Sequence, residues 1–402
     1  MDFSLSQEHM MTQRMVQDFT RKEILPVIKE YDRKQEPIPF ALRRLGELGI
    51  LGICFPVRYG GQGMDFISLG LACEELEAAD TSLRVAMSVH VGLCGLTLLQ
   101  WGTEEQKKEF LIPLASGKKL GCGAFTEPGM GSDVAGMLTN ARREGDQYII
   151  NGEKMWISLA SKADYAMLTV RSNSKASKAS NSLSTFIVDL NSKGVTRGDI
   201  HGKLGVRAGS TGWLNFQDVK VPVQNRIGEE GEGFKITMSA FDHGRYTVAS
   251  GAAGIIRAAM EASIRYAKER TTFGKSIASY QLIQEKIARM SSDYEIARLL
   301  YLRAGWLKNQ GVRNTRETSF AKKFATEASF KAADDAIQIH GAYGYSDEYD
   351  VERYLRNARG AVIYEGSSEI QTIIQAGYAL GDRIEKPLRC ELPAYDPVDW
   401  QK

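Results

Sequence analysis

The sequence predicts an α+β chain: helices over 1–122, a β domain over 123–231, a helical bundle over 232–385 and an extended tail over 386–402. Three observations carry this. Apolar residues recur at helical spacing through roughly the first 120 residues. Two β-rich runs then flank Asn151-Gly152, the strongest short hairpin signal. Beyond Phe234 helical periodicity returns in long segments, and no proline stands between Pro222 and Pro387, which suits a bundle.

Taken in order, Ser4 and Gln7 have capping-box spacing, and Met11, Met15, Val16 and Phe19 mark a helix stopped near Pro26. A second helix is expected over 41–48, ending at Gly49. Arg58-Tyr59-Gly60-Gly61-Gln62-Gly63 is a loop by its glycines. Residues 67–99 read as two helices broken around Asp80-Thr81-Ser82, and 106–114 as another. In the β domain the expected strands are 147–150 and 153–157 on either side of the hairpin turn, then 166–170, 185–188 and 213–221. The Ser/Lys/Ala-rich stretch 172–184 reads as a mobile surface loop. Glu229-Glu230-Gly231-Glu232-Gly233 leads out of the domain. Helices follow over 234–270, 280–310 and 315–340, and Pro393 and Pro397 mark the tail.

Length suggests two or three domains. Hydrophobic content of 43% and charged content of 25% are ordinary for a globular protein. Net charge is 51 − 49 = +2, which argues for neither nucleic acid nor a membrane surface as partner. Met1-Asp2-Phe3-Ser4 lacks the basic start and apolar core of a signal peptide. No run approaches the roughly 18 apolar residues of a membrane helix. Cys54, Cys73, Cys94, Cys122 and Cys390 are odd in number with no C-x-x-C pair, which points to free thiols in a reducing, cytoplasmic setting. His9, His90, His201, His243 and His340 make no metal-ligand spacing, so no metal is expected. No G-x-S-x-G elbow and no phosphate-binding G-x-x-x-x-G-K-[ST] loop occurs.

The most informative stretch is Ile363-Tyr364-Glu365-Gly366-Ser367-Ser368. Gly366 permits a tight turn directly after the carboxylate. Ser368 and Gln371 have capping-box spacing, and Ile370, Ile373, Ile374 and Gly377 form a helical stripe behind them. A carboxylate held at the mouth of a helix behind an apolar run is a candidate general base, since partial burial raises its pKa. An ordinary loop Glu favoured by the helix N-terminus fits the same pattern.

This segment closely resembles the C-terminal signature of the acyl-CoA dehydrogenase family. Tyr364-Glu365-Gly366-Ser367 is similar to the family's base motif, and Gln338-x-x-Gly341-Ala342-x-Gly344 to its flavin-contacting turn. The resemblance covers roughly residues 3 to 385. It implies an N-terminal helical domain, a central β-barrel or sandwich, a C-terminal four-helix bundle, FAD as cofactor and α,β-dehydrogenation of an acyl-CoA. Glu365 would remove the α-proton while hydride leaves the β-carbon for the flavin. Thr126-Glu127-Pro128-Gly129-Met130-Gly131-Ser132-Asp133 resembles the loop over the flavin: Phe125 and Thr126 match ring contacts, and Ser132 a hydroxyl near the acyl-CoA. Trp156 and Ser158 match flavin-facing positions. Phe241, Asp242 and Arg245 match residues around CoA, with Gly366 beside the base. Gly244 stands where some branches carry the catalytic Glu, so Glu365 is left as the base. Arg270-Thr271-Thr272-Phe273-Gly274 resembles R-x-x-F-G, in which the Arg serves the FAD pyrophosphate of a neighbouring subunit, together with Gln338, Gly341 and Ala342. Ala342 replaces the usual second glycine. Ser367 keeps a hydroxyl on the cofactor side. Glu369 stands where many members have Gln and is left out of the cofactor set, because a buried charge there would be costly.

The same resemblance implies a homotetramer and electron-transferring flavoprotein as electron acceptor; an oxidase that uses O₂ is the alternative within the fold. Arg84 and Ser88, four apart on a helix, can clamp a carboxylate, although Arg84 with Asp80 has the spacing of an ordinary surface pair. Arg84-x-Ala86-Met87-Ser88-Val89 resembles the segment with which glutaryl-CoA dehydrogenases hold a far carboxylate, and Tyr364 is present in those enzymes. The expectation is a dicarboxylic acyl-CoA, glutaryl or benzylsuccinyl, with small residues Gly92, Cys94 and Gly95 leaving room for bulk. A short- or branched-chain monocarboxylic substrate is the alternative. A non-catalytic nucleic-acid-binding relative would carry a basic tail. Here Lys386, Arg389 and Lys402 face Glu385, Glu391, Asp396 and Asp399 over 384–402, or 3 − 4 = −1.

Overall fold

A computed structural model describes residues 4–173 and 176–402. The chain begins with α1 (Gln7–Phe19), carried on by a wider helical turn over Thr20–Ile24. Its cap is Ser6, whose side chain accepts from the His9 N–H while the His9 ring receives the Ser6 N–H. The expected Ser4/Gln7 box is therefore displaced by two residues, because a histidine ring can do what a Gln amide does.

Helix α2 (Phe66–Ala79) ends at Asp80, which caps α3 (Thr81–Met87) by accepting from the Ser82 N–H at 2.8 Å. Helical structure then continues to Trp101 through a π-helical segment over Ser88–Leu96. One stretch of 21 residues, Thr81–Trp101, does have the length and composition of a membrane span, contrary to expectation. It is buried throughout inside the protein, so its apolarity is that of a core helix.

Eight strands form one mixed sheet: β1 (Gly121–Ala124), β2 (Asn140–Glu144), β3 (Gln147–Ser158), β4 (Tyr165–Arg171), β5 (Leu183–Asp189), β6 (Val195–Asp199), β7 (Thr211–Pro222) and β8 (Arg226–Ile227). Their order is β6-β7-β3-β2-β4-β5-β8, with β1 parallel to β4. Asn151-Gly152 is not a hairpin turn. The chain runs straight through it as β3, and Gly152, at φ +135°, marks a bulge against β7. Its freedom serves a close approach: a Cβ there would lie 2.7 Å from the Thr139 backbone. The true hairpin is one step earlier, at Gly145-Asp146 between β2 and β3. β1, β2, β6 and β8 were not expected. The loop proposed over 172–184 is shorter, since Leu183 and Ser184 are buried in β5; its residues 174 and 175 lie outside the described residues.

Three long helices follow, close to their expected bounds: α4 (Gly233–Glu269), α5 (Gln281–Asn309) and α6 (Thr315–His340). Between α4 and α5 a short antiparallel ladder joins β9 (Thr271–Thr272) to β10 (Lys275–Ser276). Helices α7 (Val351–Ala361) and α8 (Ser368–Leu380) complete the bundle. The tail is no free arm. Arg389 pairs with Glu232 at 2.6 Å, and buried Trp400 meets the Phe66 ring edge-on at 5.7 Å.

Candidate active site

The connection from α7 to α8 carries Glu365. It sits at φ +52° and Gly366 at φ +89°, two successive left-handed residues. For a side chain other than glycine this is strained backbone, a state that persists only where surroundings over-determine it. Ser367, not Ser368, caps α8, accepting from the Ile370 N–H at 3.5 Å. Gln371 therefore closes no capping box. Its Nε2 donates to the Gly366 carbonyl at 2.9 Å, and Lys322 Nζ from α6 donates to the same oxygen at 2.8 Å.

Glu365 Oε2 is buried without a hydrogen-bond partner. Burial raises its pKa above the usual carboxylate value, while Arg84, Lys322 and Arg245 pull it back. The facing position on α4 is Gly244, where a Cβ would stand 1.9 Å from Oε2. An orphaned carboxylate oxygen, desolvated and with cations near it, has surroundings that suit a general base.

Arg84 is wholly buried. Asp80 is not its partner. Nε and Nη2 reach Glu77 on α2, Nη1 donates to Ser88 Oγ at 2.9 Å, and Nη2 donates to the Tyr364 hydroxyl at 2.5 Å. Glu77 holds the guanidinium fully charged. Ser88 Oγ also meets Thr247 Oγ1 of α4 at 2.6 Å. The structure thus brings Arg84, Ser88 and Tyr364 together beside the base. It does not leave room at the small residues beyond. The Phe55 ring fills the space at Gly95, Cys94 packs on Gly121, and Gly92 lies against the backbone of Gly244.

Phe241, Asp242 and Arg245 cluster on α4, on either side of Gly244 in sequence. Arg245, 4% exposed, pairs with Asp242 Oδ1 at 3.0 Å and lies over the Phe241 ring at 5.8 Å. It is not a solvated helix-face arginine, and its Nε is left without a partner. A Cβ on Gly366 would be 3.4 Å from that Nε, so the cluster abuts the base's turn. Thr315 Oγ1 donates to Asp242 Oδ2 at 2.6 Å. Phe125 meets Phe241 edge-on at 5.3 Å, whereas Ser132 stands exposed on its loop.

The Thr126 carbonyl accepts from the Met155 N–H at 2.9 Å, one residue before Trp156. A register shift between Met155 and Ile157 expels Trp156 from the ladder; it stands at φ +61° and 57% exposed, with Ser158 half-buried two residues on. Bulges re-aim side chains in this way. The loop is pinned by a pair the sequence reading missed: buried Lys154 donates to the Phe125 carbonyl and to Glu127 Oε1, both at 2.9 Å, and Glu127 accepts the Thr139 N–H.

Arg270, Phe273, Gln338, Gly341 and Ala342 are all exposed. Phe273, 92% exposed, stands at φ +49° at the tip of the β9–β10 ladder. A Cβ at Gly341 would meet nothing within 4 Å, and Ala342 beside it is exposed. Lys322 and Gln338 share α6 but are 16 residues apart, about 24 Å along the axis, so one chain does not bring this group to Glu365. The residues present fit FAD in two halves: an exposed, strained aromatic wall with hydroxyls, and an exposed cation beside a glycine turn. Among the described residues no cluster suits a metal.

Models of the acyl-CoA dehydrogenase N-terminal, middle and C-terminal domains match residues 6–118, 122–219 and 231–379. The probable acyl-CoA dehydrogenase YngJ of Bacillus subtilis is 43% identical over 376 residues, covering 94% of this chain and 99% of that protein. Butyryl-CoA dehydrogenase from Megasphaera elsdenii superposes with a TM-score of 0.92 at 38% identity, over 94% of this chain and 100% of the other. A glutaryl-CoA dehydrogenase–glutaryl-CoA complex also gives 0.92 at 38%, over 95% and 98%.

Proposed function

The chain belongs to the acyl-CoA dehydrogenase family, and on that premise we propose that it oxidises a dicarboxylic acyl-CoA of the glutaryl type with Glu365 as the base. It is an FAD enzyme; the flavin, when bound, supplies the acceptor for a hydride. Glu365 takes the α-proton on the carboxylate whose Oε2 is left unpartnered. The Glu365 N–H donates to no other backbone carbonyl among the described residues, which leaves it for the thioester oxygen as charge develops there. Phe241, Asp242 and Arg245 take the CoA side, and Phe125, Thr126, Trp156, Ser158 and Ser367 the flavin side.

The observation that carries the dicarboxylic reading is Arg84. A wholly buried guanidinium beside the base, sharing its N–H groups with Ser88 and Tyr364, is a receptor for a second carboxylate. The filled space at Cys94 and Gly95 speaks against a benzylsuccinyl chain and for a short one. One observation favours a short monocarboxylic substrate: Glu77 already answers the Arg84 charge. A panel of glutaryl-, benzylsuccinyl-, butyryl- and isovaleryl-CoA, with product mass for CO₂ loss, decides. Butyryl-CoA turnover equal to every dicarboxyl thioester ends the dicarboxylic reading.

The exposed Arg270, Phe273, Gln338, Gly341 and Ala342 support a homotetramer in which they complete a neighbour's FAD site. A flavin-loaded monomer in light scattering overturns it. Electron-transferring flavoprotein is the proposed acceptor; rapid reoxidation by air in stopped flow would favour an oxidase instead. The five free cysteines suit a reducing cytoplasm.

A further inference from the structure

The left-handed turn at Glu365 needs something to hold it, and the nearest holder is a buried lysine. Lys322 is 0% exposed, and its ammonium donates to the Gly366 carbonyl at 2.8 Å. Gln371, also 0% exposed, gives its Nε2 to the same oxygen at 2.9 Å, so both lone pairs are used. Gln371 is itself fixed: its N–H donates to the Ser367 carbonyl at 2.9 Å, and its own carbonyl accepts from Ser319 Oγ of α6 at 3.2 Å. The turn is thereby riveted to a 26-residue helix.

We propose that Lys322 is a positioning residue: with Gln371 it clamps the Gly366 carbonyl and so holds Glu365 in its left-handed turn. This rests on the reading of Glu365 as the base. A neutral carbonyl is a poor match for a buried ammonium, so the charge must be balanced nearby. The groups around Glu365 are Arg84 on α3, Arg245 on α4, Lys322 on α6, Glu77 and Cys73 on α2, and the neighbouring Tyr364. Those around Lys322 are Glu365, Arg245, Arg84, Glu327 and Glu369. Burial holds the Lys322 amine down to about 7, and Glu365 is first among the groups opposing that fall. Each of the two charges therefore favours the other's ionised form.

The test uses the FAD-loaded enzyme with whichever of glutaryl- or butyryl-CoA turns over faster. Lys322→Met removes donor and charge at similar length. Its kcat should fall about 100-fold, as for a base displaced by an ångström. The acid limb of kcat/KM against pH should rise by about one unit once the cation is gone. Calorimetric affinity for a non-oxidisable 3-thia-acyl-CoA should stay unchanged. Gln371→Leu removes only the neutral donor, and should lower kcat without moving the limb. Lys322→Arg keeps the charge and should leave the limb in place. A Met variant with native kcat and limb overturns the proposal. So does a Leu variant with native kcat. Should the Met variant not fold, an Arg variant whose limb rises overturns it. Glu365→Gln separates the two readings: turnover retained there defeats the base itself, whereas a dead Gln variant beside a native Met variant defeats only the clamp.

Discussion

Two polar constellations of this chain are built in opposite ways. Around Glu365 every cation is enclosed and answered from within: Arg84 by Glu77, Arg245 by Asp242, Lys322 by the Gly366 carbonyl and the Glu365 charge. Around Arg270 the side chains stand in the open, Phe273 at 92% exposure and Gly341 with empty space over its Cα. The first group is complete in one chain. The second has the form of half an interface, which supports the reading in which another copy finishes it. Enclosure also explains the chemistry, because desolvation makes a carboxylate basic, whereas an exposed arginine is free to bind a diphosphate.

The largest expected effect lies at the enclosed pole. Glu365→Gln should keep yellow FAD and thioester binding but slow flavin bleaching by roughly 10²–10⁴-fold or more. Near-native bleaching would mean another group is the base. In the native enzyme the raised carboxyl must ionise before it acts, so kcat/KM should fall on the acid side, with a limb above the usual value for glutamate. Next, Arg84→Ala strands Glu77 in the core. It should cost about 3–5 kcal/mol of stability by urea unfolding. Its loss of kcat/KM should be several kcal/mol for a dicarboxyl thioester and smaller for butyryl-CoA. Equal losses would make Arg84 purely structural. Gly244→Ala puts a methyl where Oε2 sits, and should lower kcat about 100-fold with FAD content unchanged. The smallest effect is expected at the open pole. Arg270→Ala should weaken FAD retention, read by equilibrium dialysis, by about tenfold, the worth of one charge-assisted contact. Substrate-side stability should be untouched. An unfolded Arg270 variant would break the contrast.

What the sequence disclosed tracks where periodicity and local chemistry agree. The long helices after Phe234 were legible because apolar spacing persists and no proline interrupts it. Asn151-Gly152 misled because the signal tests only two residues, while ten strand positions of β3 pair with β7 around it. Glu365 and its cluster were legible through motif resemblance. The partners were not. Glu77 and Arg84 are seven apart, which on one helix would share a face, but Asp80 ends α2 and restarts the register. Lys322 and Lys154 look like surface lysines, beside Lys323 on a helix and in an alternating strand; only the fold puts them at 0% exposure. The filled space at Gly95 was equally hidden, since Phe55 lies 40 residues away in sequence.

The contact between Gly244 and Glu365 bears on ancestry as much as on chemistry. Resemblance places the base at the 244 position in some branches of the family. In this chain the two sites share one volume, with 1.9 Å between a Cβ at 244 and Oε2 of Glu365. A side chain added at 244 while Glu365 stays pushes the end of that carboxylate aside, so the two positions compete for one place. The missing methyl group at 244 is what leaves that place to Glu365.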